Sequence, residues 1–148
     1  MRYWDTSALI PLMLQESFTG TLAPLAQADE GMVVWWATSV EVTSALVRRV
    51  WAGGITGAEE QQARLILRAL SDNWLEMRPT ERLRGLAERL LSAHRLRAGD
   101  ALQLAAALRW AESLPHGELF VCLDLRLRGA AAREGFRVLP ETGMLESP

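Results

Sequence analysis

Four acids stand out by their settings. Asp5 closes a short apolar stretch at residues 2–4, and Asp124 closes another at 119–123. Glu41 follows the apolar run 32–37, and Asp100 stands at the entrance of a run of Ala and Leu. The chain has only five Asp (Asp5, Asp29, Asp72, Asp100 and Asp124) against 13 Glu, so each Asp position carries weight. Carboxylates that gather repel one another unless a cation neutralises them. Oxygen donors without His or Cys suit a hard divalent ion, Mg²⁺ or Mn²⁺. Each acid also fits a helix cap. Asp is a favoured N-cap, and Thr38-x-x-Glu41 reads as a capping box. Both readings are open at the level of single residues.

The elements around them follow from pattern. Residues 2–5 form a short strand, and 6–10 begin a helix whose first turn tolerates Pro11. Residues 18–27 form a second helix. The continuous apolar run 32–37 reads as a buried parallel strand. A helix opens at Thr38 and ends at Gly53-Gly54. Residues 57–73 form another helix, 74–78 a strand stopped by Pro79, and Thr80 caps the next helix. The helix at Asp100 is apolar nearly all round, so it belongs inside a core, and Gly99 before it permits an unusual turn. Residues 114–117 turn, 118–123 form a strand, 125–133 a helix and 136–139 a last strand. Residues 1–140 make one domain, and 141–148 a loose tail. Strands alternating with helices predict an α/β/α sandwich around a mostly parallel sheet. In such sheets the carboxyl ends of the strands share one edge, which holds the binding crevice. All four acids fall at places that lead to that edge.

Composition narrows the class. Of 148 residues 49% are hydrophobic and 23% charged, the profile of one globular domain. No apolar run is long enough for a membrane span and no signal-peptide layout precedes the first strand, so a cytoplasmic protein is expected. The lone Cys122 excludes an internal disulfide framework and a cysteine zinc site. All 16 basic residues are Arg, although the net charge is −2. Arg97 flanks Asp100, Arg126 and Arg128 follow Asp124, and Arg48 and Arg49 come after Glu41. Each is a surface charge or a phosphate contact. Trp4, Trp35 and Trp36 are placed in or near the core by their strand positions. Trp51 and Trp110 are assigned to the core, with a partner face as the other option. His94 reads as structural and His116 as an exposed turn residue.

Four segments carry a resemblance. Residues 3–9 (YWDTSAL) look like the opening motif of PIN-domain ribonucleases, 39–46 (SVEVTSAL) resemble their second, and 96–107 (LRAGDALQLAAA) their third. Residues 120–124 (FVCLD), with Leu127, Ala130, Ala131, Gly135, Phe136 and Val138, are similar to the C-terminal end. The order is right across almost the whole chain, and the short form is typical of VapC toxins of type II toxin–antitoxin systems. The resemblance implies a metal-dependent endoribonuclease in which Asp5, Asp100 and Asp124 hold Mg²⁺ or Mn²⁺. Glu41 would be a further ligand or orient water, and RNA would be cut to 5′-phosphate and 3′-hydroxyl ends. Ser7, Arg97, Arg126 and Arg128 are the expected substrate contacts, Ser7 also steadying Asp5; Thr6 is assigned to local structure. A homodimer and a VapB-type antitoxin are the implied partners. Cys122 departs from the pattern: many family members have Thr or Ser there, and a thiol is a poorer polar partner.

Two rivals remain. A phosphotransferase of the haloacid dehalogenase type needs a second Asp at the position of Ser7. A catalytically silent PIN-like module that binds RNA or protein would use the same fold without chemistry.

Overall fold

The computed structural model describes residues 1–145. Five strands, β1 (Arg2–Trp4), β2 (Met32–Trp35), β3 (Leu75–Met77), β4 (Leu119–Val121) and β5 (Arg137–Leu139), form one sheet in the order β3-β2-β1-β4-β5. Every pairing is parallel, and the wholly apolar strands β2 and β4 suit burial on both faces. Tyr3 lies beside Val33 on one side and Phe120 on the other. Strand residues alternate between faces. Tyr3, Val33 and Phe120 point into one core, and Trp4, Val34 and Val121 into the other.

Helices cover both faces, giving three layers. The face carrying Trp4 is packed by α1 (Thr6–Met13), α2 (Thr19–Gln27), α3 (Thr38–Trp51) and α4 (Gly57–Ser71). The face carrying Tyr3 is packed by α5 (Glu81–Ala93), α6 (Ala98–Trp110) and α7 (Leu125–Glu134). Helix α6 buries Ala101 and every residue from Gln103 to Leu108, which accounts for its all-round apolar sequence. Phe120 stacks on Tyr3 at 5.2 Å between ring centroids and meets Phe136 at 5.5 Å. Thr56 and Glu59 close a reciprocal capping box at the start of α4. No helix among the described residues is long and apolar enough to cross a membrane.

Several local expectations change. Strand β2 ends at Trp35, and Trp36 turns outward, 49% exposed. Trp51 is 81% exposed at the end of α3 and not in the core. Pro11 lies inside α1, beyond its first turn, so the carbonyl of Ser7 has no helical N–H to accept. Gly99 is an ordinary helical residue with open space where a Cβ would stand. The start of the tail carries a short exposed helix, α8 (Thr142–Leu145), and Arg137 pairs with Glu141 at 2.6 Å. The remaining tail lies outside the described residues.

Strand β1 is central. The chain builds outward from it to β2 and β3 on one side and to β4 and β5 on the other. The order therefore reverses between β1 and β4, and the crevice of a parallel sheet opens at the carboxyl end of such a reversal.

Candidate active site

The four acids arrive at that edge on four helix N-termini. Asp5 is the N-cap of α1 and Asp124 the N-cap of α7, where its Oδ1 accepts from Leu127 N at 2.9 Å. Asp100 lies in the first turn of α6, and Arg97, not Asp100, is the cap residue. Glu41 lies in the first turn of α3. Helix N-termini favour negative charge, so the fold supports anions at all four positions.

Asp5 is 5% exposed. Its Oδ2 accepts from the backbone N–H and hydroxyl of Ser7 and from Cys122 Sγ at 3.5 Å. Among the described residues no hydrogen bond falls on Oδ1. Burial pushes the Asp5 carboxyl up to about 6, and the charge of Glu41 adds to the rise, although the Ser7 and Cys122 bonds oppose it. Ser7 does more than steady Asp5. Its Oγ also accepts from Leu123 N at 2.9 Å and Asp124 N at 3.3 Å, so one hydroxyl ties the end of β1 to the end of β4. The Cys122 thiol, fully buried, contacts Asp5. Burial, with the charge of Asp5, raises that thiol well above its usual range.

Glu41 is not a capping-box residue. The cap position of α3 is Ala37, and no side chain caps it. Glu41 Oε2 instead accepts from Thr6 Oγ1 at 2.6 Å and Gln103 Nε2 at 2.9 Å. Gln103 Oε1 accepts from the Tyr3 hydroxyl at 2.7 Å, and its Nε2 lies 3.4 Å from Thr38 Oγ1. A chain of bonds from Tyr3 through Gln103 to Glu41 and Thr6 thus joins β1, α6, α3 and α1. Burial raises the Tyr3 hydroxyl well above its usual range, with Asp5 and Glu41 adding to it. Sequence reasoning missed Gln103 and gave Thr6 only a local role. A signal was present, because Gln103 is the one polar residue between Ala101 and Leu108. A polar side chain in a helix buried all round must find partners.

Asp100 is half-buried, and burial raises its carboxyl. Asp124 adds to the rise, whereas the Arg97 backbone N–H and the charges of Arg97 and Arg126 oppose it. The acids therefore interact as two pairs, Asp5 with Glu41 and Asp100 with Asp124. Among the described residues no three His, Cys, Asp or Glu side chains gather as an ion-holding group. In kind, the donors fit a hard divalent ion: they are oxygens only, and Asp5 keeps one oxygen without a bond. Arg97 and Arg126 are exposed beside this edge. Arg128 is not a surface contact. It is buried, and its guanidinium donates to the carbonyls of Cys122, Leu139 and Pro140. It ties the end of β4 to the end of β5. Arg49 is paired with Glu16, and His94 with Glu134.

Compared with known proteins, the chain matches no family model and no curated protein.

Proposed function

We propose that the chain is a divalent-metal-dependent endoribonuclease of the PIN-domain kind, a VapC-type toxin. What supports the reading is that Asp5, Glu41, Asp100 and Asp124 all stand at helix N-termini, as two pairs, beside the strand ends where the sheet order reverses. The ordered motifs that contain these acids support it. Asp5, Asp100 and Asp124 would hold Mg²⁺ or Mn²⁺, with Glu41 as a further ligand or orienting water. What such an ion supplies when bound is a lowered pKa for water and neutralisation of charge on the phosphodiester. The chain's own part is positional. Ser7 holds the Asp5 and Asp124 segments together, and Gln103 and Thr6 hold Glu41. Arg97 and Arg126 draw the phosphate toward the acids. Water adds to phosphorus and the 3′ oxygen leaves with a proton, giving 5′-phosphate and 3′-hydroxyl ends. As a toxin the chain would form a homodimer and be silenced by a VapB-type antitoxin.

A second reading is favoured by one observation, the absence of an ion-holding trio among the described residues. It makes the chain a silent PIN-like module for RNA or protein. Purified protein incubated with total cellular RNA and Mg²⁺, Mn²⁺ or a chelator, beside Asp100→Asn, separates the two. The nuclease gives discrete metal-dependent fragments, and the variant gives none while keeping the wild-type circular dichroism. Wild-type cleavage by the variant would overturn the metal assignment. A calorimetric Mn²⁺ titration without binding would select the module.

A further inference from the structure

Three arginines gather beside the Asp100–Asp124 pair, between the α5–α6 connection and α7. Arg95, Arg126 and Arg133 line a cavity of about 460 Å³ together with Leu125 and Gly129. Among the described residues none of the three makes a salt bridge. Arg133 Nε donates only to His94 Nδ1, at 3.4 Å. Glu134, next to Arg133 in the chain, is already engaged by His94 and Arg89. Three guanidinium groups around one cavity repel each other, and an anion relieves them. The cavity starts at Leu125, the residue after Asp124, and the charge of Arg126 reaches Asp100.

We propose that this cavity is a backbone subsite for single-stranded RNA, holding the phosphates next to the one that faces the acids. That the ligand is RNA rests on the nuclease reading; that it is a polyanion rests on the unpaired guanidinium groups. Guanidinium presents planar forks that match phosphate oxygens. A phosphodiester strand repeats its charge at every nucleotide, so one strand can span the arginines and the acidic edge in register. Leu125, 76% exposed between the two, offers an apolar contact for a ribose or base. Unpaired surface arginines and an exposed leucine serve such a strand better than either serves the isolated domain.

The test is binding of a short fluorescein-labelled oligouridylate by anisotropy, in chelator, across a salt series. Wild type binds, with log affinity falling linearly in log salt. The Arg95→Gln/Arg133→Gln double variant binds roughly tenfold more weakly at low salt, and its slope is shallower by about 1.4, the value for two lost single-strand phosphate contacts. Arg68→Gln/Arg78→Gln, an equal loss of two exposed charges away from the cavity, leaves affinity and slope near wild type. The double variant keeps the wild-type melting temperature, because both side chains are exposed. A double variant with the wild-type slope, or a wild type that does not bind, overturns the subsite. Displacement by polyglutamate as effective as by unlabelled oligouridylate also overturns it, in favour of an acidic protein segment. Because no cleavage is measured, the two readings fail separately. A wild type that never cuts RNA but loses slope in the double variant keeps the subsite and loses the nuclease. One that cuts RNA, with binding unchanged in the double variant, does the reverse.

Discussion

Asp5→Asn is expected to make the protein more stable at neutral pH. Burial pushes the Asp5 carboxyl from 3.8 to about 6. Asp5 therefore holds its proton more tightly folded than unfolded, and stability falls as pH rises between those values. Above about pH 6 the full penalty is in place, worth about 3 kcal/mol. The Asn variant does not bear it. All three hydrogen bonds at Asp5 fall on Oδ2, so an Asn whose carbonyl takes that place keeps every one and remains a good N-cap. Its amide then takes the place of the second carboxylate oxygen, on which no hydrogen bond falls among the described residues. The penalty is already net of the Ser7 and Cys122 bonds, and an amide N–H left without a partner costs about 1 kcal/mol, which leaves a gain of about 2 kcal/mol. For a domain of this size that is roughly 4–8 °C in Tm. Urea and thermal unfolding followed by circular dichroism measure the gap between variant and wild type. It should be largest above neutrality and shrink by about half at about pH 5, as wild-type Asp5 takes up its proton. Saturating Mn²⁺ should raise the Tm of wild type and leave the variant where it was, by mass action on a folded-state site. A variant less stable than wild type at neutral pH, or a gap that ignores pH, would refute the reasoning about Asp5. A gap that behaves as described but ignores Mn²⁺ would leave the electrostatics standing and remove the ion.

Gln103→Leu fits the volume of α6 but strands the Tyr3 hydroxyl and one side of Glu41. A loss of about 2–4 kcal/mol in urea unfolding is expected, and a loss under about 1 would show that the network carries little. Arg128→Met leaves the carbonyls of Cys122 and Pro140 without their donor, while Leu139 O keeps the Cys122 N–H at 2.9 Å. It should cost about 2–3 kcal/mol in the same assay, with RNA affinity per folded molecule unchanged. Cys122, buried and with its thiol raised, should resist iodoacetamide in the native protein at mildly alkaline pH and react on unfolding in urea. Rapid native labelling, read by mass spectrometry, would contradict its placement.

The parts legible in the sequence are those fixed by local pattern. The apolar strands, the Thr80 cap and the all-round apolar helix α6 follow from short-range chemistry, and the parallel sheet follows from the alternation of strands and helices. Side chains whose partners are distant in the chain were not legible in the same way. Thr38-x-x-Glu41 satisfies the capping-box spacing, yet Glu41 leaves the helix end for Thr6 and Gln103, 35 and 62 residues away. Two neutral donors at a half-buried site outweigh one cap bond. Arg128 shows the same competition in reverse. Its neighbour Arg126 points to solvent, but Arg128 falls on the buried side of α7, where it donates to the carbonyls of Cys122 and Pro140. Helix phase separates the two: residues two apart lie on different sides of a helix, so two arginines after one acid cannot both face the substrate edge. Buried Leu127 and Ala131 mark the inward side of α7 and turn Arg126 outward. The same reasoning brings Arg133 to the cavity that Arg126 lines, one helix face away from any acid of its own. A site of this kind is thus half written in local motifs and half in the phase of the helices that carry them.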